Sequence, residues 1–352
     1  MMRKMQILIS VLLTVALLAG CRGKADVPPE TSSQAELPGE DAYISQTPLK
    51  PKDDLDETGD TKPGTSVSTD DALENEAGAL PSGDGAVSNV TTVEASGVHV
   101  KSNEEATIDY SNTCDGYVMV QYTATTSQRL KVKVQGPSTT YTYNLTPQKW
   151  EAFPLSDENG EYQITVFKNV VDKKYAAVLS LTANVSMEDE FAPFIHSNQY
   201  VDFDAAPNTV AKAAEIAGDI EDPLQKVAEI YNYVVYGMTY DTEFAATVTS
   251  GYLPDLDRVL ENMSGICFDY AALMTGMLRS QGVPTKLVVG YAGDAYHAWI
   301  NVWSDSVGWM EGVVYFDGTN WQHMDPTFAS SGGRDVMEYI GNGANYSAKY
   351  FY

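Results

Sequence analysis

The apolar residues of this 352-residue chain follow two periods in succession, and this order constrains the fold more than any other feature. From about 94 to 190, runs such as "GYVMVQYTAT", "RLKVKVQG" and "EYQITVFKNV" alternate apolar and polar residues and are separated by turn-forming residues. Alternation with a period of two is typical of strands with one buried face. Several such strands at this spacing predict an all-β sandwich domain.

The second half of the chain has a helical period first and a strand period afterwards. Asp222, Pro223 and Gln225 give the pattern of a helix N-terminus, with a capping residue, a proline in the first turn and a capping-box-like glutamine. The run from Cys267 to about Gln281 is apolar nearly all round, which predicts a helix buried in its domain. Strands are predicted at "TKLVVGYA", "YHAWINVW", "GVVYF" and "NWQHM". Helices followed by an antiparallel set of strands predict an α+β domain.

The N-terminal segment has the composition of a targeting signal followed by a linker. Arg3 and Lys4 precede an apolar run over 7–18, which is shorter than the roughly 20 apolar residues that span a membrane. The run ends in "LAGC" with Cys21, which resembles the lipobox of bacterial lipoproteins; a plain secretory signal with an incidental cysteine is the alternative. Residues 22–92 contain 15 acidic and five basic residues, seven prolines and one aromatic residue, which predicts disorder.

The expected organisation has four parts. These are a signal peptide over 1–20, a lipidated Cys21 with a disordered acidic linker over 21–92, a β-sandwich over 93–192 and an α+β domain over 193–352. The protein is expected to be exported and anchored by lipid to the outer face of the cytoplasmic membrane or the cell surface. A net charge of −26 without any basic block argues against nucleic acid as a partner and against electrostatic binding to anionic lipid.

One cysteine stands at the start of the predicted buried helix. The positive end of a helix stabilises a thiolate relative to a thiol, which would suit a nucleophile at Cys267. The same position also suits an inert buried cysteine. A disulfide with Cys114, 153 residues earlier, is a further alternative. Position alone does not decide between these interpretations.

Candidate partners for Cys267 follow in the later strands. A thiolate nucleophile needs a base, and the base needs a third group that orients it. His297 lies in "AYHAWINVW", and Asp325 ends a strand immediately before a proline, so that its carboxylate can reach a neighbouring strand. Cys267, His297 and Asp325 are therefore a candidate triad. His323 is an alternative base, but it lies two residues from Asp325 on the same side of one strand and reaches that carboxylate poorly.

Residues 267–327 resemble the transglutaminase-like superfamily, which shares its architecture with papain-type thiol proteases. The matching pieces are "GICFDYAALMTGMLRSQGVPTKLVVGY", "HAW" and "WQHMDPT", separated by 30 and then 28 residues from cysteine to histidine to aspartate. The resemblance implies a papain-like core of helices packed on an antiparallel sheet. It also implies that Cys267 is the nucleophile, His297 the general base and acid, and Asp325 the orienting acid. The expected oxyanion donor is the backbone N–H of Cys267, with Tyr240 as a weaker alternative.

The implied activity is thiol acyl transfer at an amide bond of a peptide or protein, with cell-wall peptide among the candidates. The triad does not distinguish a protease, an amidase and a transglutaminase. Phe268 follows the nucleophile where animal transglutaminases commonly have tryptophan, and their calcium sites have no visible counterpart. Calcium dependence and glutamine specificity are therefore not inferred, and no cofactor or metal is expected. The alternative is a catalytically silent scaffold, in which the β-sandwich and the papain-like domain bind a cell-wall or protein ligand.

The remaining aromatic residues of the later strands receive no role in the site. Residues of this kind could line a substrate groove, but aromatic side chains on such strands are more often part of the core. This interpretation applies to Tyr291, Trp299, Trp303 and Trp321.

Overall fold

The computed structural model describes residues 92–293, 295–305, 308–311 and 346–352, together with the backbone of three short strands at 34–36, 314–316 and 321–323. Among these residues, one compact unit is built on Glu94–Pro193 and a second on Phe194–Tyr352. Cys21 and most of the predicted linker lie outside the described residues, so the signal peptide, the lipidation and the linker remain predictions. No helix in the part of the chain that the structure describes has the length and apolar character needed to cross a membrane.

The first unit consists of two antiparallel sheets. Its strands are β1 (Gln34–Glu36), β2 (Val100–Ser102), β3 (Ala106–Asp109), β4 (Tyr117–Tyr122), β5 (Leu130–Gln135), β6 (Thr140–Leu145), β7 (Glu151–Pro154), β8 (Gly160–Val171) and β9 (Lys174–Val185). One sheet has the order β1-β9-β8-β5-β6 and the other the order β2-β3-β4-β7. The rings of Tyr143 on β6 and Phe153 on β7 lie 5.0 Å apart and join the two sheets in one core.

The alternating sequence pattern explains this unit. On β5, Val132 and Val134 are fully buried, and on β8 Ile164 and Val166 are their cross-strand partners. β1 comes from the segment that the composition predicts to be a linker, and it pairs with the start of β9. The unit is therefore the all-β part of the predicted fold.

The second unit begins with helices and continues with strands. Its helices are α1 (Pro207–Ala217), α2 (Pro223–Gly237), α3 (Thr242–Thr247), α4 (Leu256–Asn262) and α5 (Cys267–Ser280). Its strands are β10 (Thr239–Tyr240), β11 (Ser264–Gly265), β12 (Thr285–Ala292), β13 (Ala295–Ser304), β14 (Gly308–Met310), β15 (Val314–Phe316), β16 (Trp321–His323) and β17 (Tyr346–Phe351). The main sheet is antiparallel, with the order β14-β13-β12-β17.

Helix α5 is the centre of the second unit. All of its residues are buried, as its apolar sequence predicts. It packs against α1, α2 and α4 and against strands β12 and β13. The predicted start of α2 is confirmed, since Asp222 accepts a hydrogen bond from the Leu224 N–H at 3.0 Å and Pro223 occupies the first turn.

Arg279 near the end of α5 is a fully buried cation that binds backbone carbonyls. Its guanidinium donates to the carbonyl oxygens of Thr285, His196 and Tyr352, at 2.6 to 2.9 Å. Burial lowers the pKa of Arg279 to about 9, so the side chain stays protonated at neutral pH. The residue thus ties the end of α5 to the start of β12 and to the residue that follows β17.

Candidate active site

The backbone that leads to Cys267 is held in place by several contacts. Helix α4 ends at Met263 in a left-handed conformation with φ 45°, and the next two residues form β11. β11 pairs in parallel with β10, and the Asp241 N–H donates to the Gly265 carbonyl at 2.9 Å. Cys267 is then the first residue of α5. These contacts fix the point at which the thiol enters the core.

Cys267 is a free thiol, and none of its surface is exposed. The alternative disulfide with Cys114 is therefore not formed. The preceding residue, Ile266, has extended backbone angles, and its carbonyl accepts the first helical hydrogen bond from the Tyr270 N–H at 3.1 Å. Because the first N–H groups of a helix have no acceptor within that helix, the Cys267 N–H has the position expected of an oxyanion donor.

Asp269 fastens the turn that contains Cys267. One of its carboxylate oxygens accepts a hydrogen bond from the Ile266 N–H at 2.8 Å, and the other accepts from the Tyr252 hydroxyl at 2.5 Å. The side chain is only 1% exposed, and this burial raises the pKa of Asp269. Sequence reasoning gave Asp269 no role. The available indication was its spacing of three residues from the N-cap, which is that of the acidic member of a capping box.

His297 lies on β13, opposite Gly290 on β12. It is 1% exposed, and its ring stacks on Trp299 and meets Tyr346 edge-on, with centroid distances of 6.4 Å in both cases. Since α5 packs against β13, the helix that begins at Cys267 and the strand that carries His297 are direct neighbours.

The third predicted member of the triad, Asp325, lies outside the described residues. The alternative base, His323, is described only through its backbone, which pairs with Val314. The triad of Cys267, His297 and Asp325 therefore stays a prediction.

Tyr296 is a further residue near the thiol that the sequence did not single out. Burial raises the pKa of Tyr296, and the nearby Tyr350, Tyr291 and Cys267 raise it further. Tyr291 meets Tyr296 edge-on at 5.3 Å and is 38% exposed, so it is not the core residue that its strand position suggested.

Two other aromatic residues considered in the sequence can also be placed. Trp299 is buried in the core, as its strand position suggested. Tyr240 is half-buried, pairs through its backbone with Gly265 and lies 6.5 Å from the Tyr270 ring.

Comparison with known proteins assigns a class to this unit. Residues 210–326 match the model of the transglutaminase-like superfamily, so this part of the chain is a transglutaminase-like domain. The superfamily includes cysteine protease-like and transglutaminase members. The predicted fold class is confirmed: helices and an antiparallel sheet form the transglutaminase-like, papain-like core, preceded by an all-β unit.

Two relatives match shorter parts of the chain. The uncharacterized protein YebA of Bacillus subtilis is 24% identical over 179 residues, which are 45% of this chain and 24% of that protein. A protein-glutamine gamma-glutamyltransferase of Pseudomonas aeruginosa is 33% identical over 69 residues, which are 15% of this chain and 10% of the relative. The match thus spans a quarter or less of the length of either relative.

Two solved structures show remote likeness. The periplasmic domain of TgpA from Pseudomonas aeruginosa, bound to ethylmercury, has a TM-score of 0.31 and 16% identity, covering 59% of this chain and 92% of that one. Red sea bream transglutaminase has a TM-score of 0.26 and 15% identity, covering 60% and 48%. Likeness at this level carries no argument about function.

Proposed function

We propose that the protein is a cysteine-dependent acyl-transfer enzyme that acts on amide bonds of peptides or proteins, as a peptidase, an amidase or a transglutaminase. One observation carries the proposal. Within a transglutaminase-like domain, a free cysteine begins a buried helix that packs against the strand carrying His297.

In the proposed reaction, the Cys267 thiolate attacks the carbonyl carbon of the amide. The new carbon–sulfur bond places negative charge on the carbonyl oxygen, which accepts a hydrogen bond from the Cys267 N–H. When the carbon–nitrogen bond breaks, His297 donates its proton to the departing amine. The thioester that remains is attacked by water or by a second amine, whose proton returns to His297. Asp325 is proposed to orient the imidazole.

The proposed setting is the exterior of a bacterial cell. The lipobox-like sequence ending in Cys21 supports export and lipid anchoring. The composition of residues 22–92 supports a tether that holds the enzyme away from the membrane, although Gln34–Glu36 within this segment pair with β9. Substrates would then be peptides or proteins in that compartment, including cell-wall peptides.

The decisive experiment measures alkylation of Cys267 by iodoacetamide on the intact chain, with the modified peptide quantified by mass spectrometry. A free thiol has a pKa of about 8.5, so an ordinary cysteine reacts slowly at pH 6. We expect Cys267 in the folded chain to react at pH 6 at least about tenfold faster than Cys267 in folded His297→Ala, in which burial limits access of the reagent to the same extent. Phe268→Leu, which changes the neighbouring side chain but no titratable group, is the control.

Turnover would then be measured with casein, both as hydrolysis and as incorporation of a fluorescent primary amine. Cys267→Ala should abolish whichever activity is found. If Cys267 reacts only after unfolding, the proposed enzymatic function is refuted. In that case the silent scaffold, with the β-sandwich and papain-like domain binding a cell-wall or protein ligand, would replace it.

A further inference from the structure

The link between β11 and α5 is fastened by one carboxyl group. Asp269 bridges the Ile266 N–H, at 2.8 Å, and the Tyr252 hydroxyl, at 2.5 Å. Ile266 is the N-cap of α5, and its own side chain makes no capping hydrogen bond. Asp269 therefore provides, from within the helix, the contact that fixes the backbone immediately before Cys267.

The space for this carboxyl group depends on a glycine. A Cβ added at Gly265 would lie 2.5 Å from the Asp269 Cβ and 2.7 Å from its Oδ2. Real Cβ atoms do not approach other atoms this closely, so any other residue at this position would displace the carboxyl group. The backbone at Gly265 is itself held by pairing with Tyr240. The position of the Asp269 carboxyl group thus depends on the absence of a side chain at Gly265.

The charges around Asp269 come from three neighbouring segments. Tyr252 precedes α4, Arg258 lies on α4, and Asp241 is the N-cap of α3. Burial raises the pKa of Asp269 most, while Tyr252, the Ile266 N–H and Arg258 oppose the rise and Asp241 adds to it. Arg258 also lowers the pKa of Tyr252, against the larger effect of burial. The carboxyl group is therefore held by hydrogen bonds from Ile266 and Tyr252, while the charges of Arg258 and Asp241 act on it in opposite directions.

We propose that Asp269 is a positioning residue, which holds the Ile266–Cys267 turn so that the Cys267 sulfur and the Cys267 N–H face the same carbonyl group. This role rests on the proposed function. Tyr252 acts through Asp269 as the second anchor of the same turn. Neither side chain needs to touch the substrate.

Two reagents separate this role from activation of the thiol. p-Nitrophenyl acetate acylates a thiolate through a tetrahedral intermediate whose oxygen needs a hydrogen-bond donor, and p-nitrophenolate leaves. Iodoacetamide alkylates the same thiolate by displacement of iodide and needs no such donor. The ratio of the two rate constants at Cys267, corrected with Cys267→Ala, therefore reports the placement of the donor.

We expect Asp269→Ala to lower the acylation rate by roughly 10- to 100-fold, because a misplacement of about 1 Å costs about 100-fold. The alkylation rate should change by less than about threefold, since displacement of iodide uses no oxyanion donor. Asp269→Asn keeps an oxygen for the Ile266 N–H and an amide group for Tyr252, and should restore acylation to within about threefold of the original rate. Tyr252→Phe, which leaves the carboxyl group in place, should lower acylation by about three- to tenfold.

The control variant is Asp257→Ala. Asp257 also accepts hydrogen bonds at a helix start, from the backbone N–H groups of Asn208 at 3.2 Å and Thr209 at 2.7 Å. Its loss should lower stability without changing the ratio of acylation to alkylation. If Asp269→Ala does not fold, the Asp269→Asn and Tyr252→Phe variants carry the test.

Three results would overturn the proposal. Unchanged acylation in Asp269→Ala and Tyr252→Phe would show that the turn is held by other contacts. An equal loss in Asp269→Asn and Asp269→Ala would show that charge, and not hydrogen bonding, is what matters. If the unaltered chain is acylated no faster than Cys267→Ala, the proposed function itself fails and the positioning role fails with it; the first two results leave the proposed function intact.

Discussion

Replacement of Arg279 tests how the second unit is held together. The variant Arg279→Met keeps a long, apolar side chain in the same space but removes all four hydrogen bonds to the carbonyls of Thr285, His196 and Tyr352. Each buried carbonyl that loses its donor costs about 1–3 kcal/mol. The Tyr352 carbonyl keeps a hydrogen bond from the Leu287 N–H at 3.0 Å, so the loss falls on Thr285 and His196 and amounts to roughly 2–6 kcal/mol. The variant also avoids the desolvation of a buried cation, which offsets part of this loss. We expect a net loss of about 2 kcal/mol.

The measurement is urea unfolding at pH 7 followed by tryptophan fluorescence, because four of the five tryptophans lie in the second unit, at Trp299, Trp303, Trp309 and Trp321. Lys212→Met is the control. Lys212 forms an ion pair with Glu215 on the surface of α1, and such a pair contributes about 0.5 kcal/mol. A free energy of unfolding for Arg279→Met within about 1 kcal/mol of the unaltered chain would mean that other donors satisfy the Thr285 and His196 carbonyls, and the reasoning from unpaired groups would be wrong.

Two further substitutions test the sheet beside His297 and the first unit. Gly290→Ala should lower the free energy of unfolding by more than about 3 kcal/mol in thermal unfolding, because the added Cβ would lie 2.1 Å from the Ser347 carbonyl oxygen and separate β12 from β17. Gly282→Ala is the control: its Cβ has open space but its φ is +77°, so it should cost only about 1–2 kcal/mol. Equal losses in the two variants would contradict the argument. Lys168→Met should destabilise by at most about 1 kcal/mol at pH 7, since its partner Glu105 is partly exposed. The hydrogen bond from Lys168 is the main cause that lowers the pKa of Glu105 from 4.5. The stability difference between the unaltered chain and Lys168→Met should therefore be complete above pH 4.5 and vanish as the pH falls through the lowered pKa of Glu105. A stability difference that persists in acid would refute the role of the ion pair.

The elements that the sequence predicts best are those with a strong local period. The strands expected at 285–292 and 296–303 are observed as Thr285–Ala292 and Ala295–Ser304, and the helix expected from Cys267 begins there. In these segments, the alternating or continuously apolar pattern can be recognised from residues two to four positions apart. Local pattern is therefore enough to place them.

The contacts that complete the site link residues that are distant in the sequence. Asp269 and Tyr252 are 17 residues apart, and Arg279 reaches His196 across 83 residues. The parallel pair β10–β11 is only two residues long on each side, which is too short for any period to show. These contacts depend on how separate helices and strands pack against one another, and the sequence pattern within a single helix or strand does not indicate them.

The position of Cys267 at a helix start does not by itself explain a reactive thiolate. A helix terminus stabilises a charge by at most about 2 kcal/mol, whereas burial of an ion costs several kcal/mol, and Cys267 has no exposed surface. In the proposed mechanism, His297 in its protonated form supplies the remaining stabilisation. Loss of thiol reactivity in His297→Ala is therefore a requirement of the proposed function, because the helix terminus alone cannot maintain the thiolate.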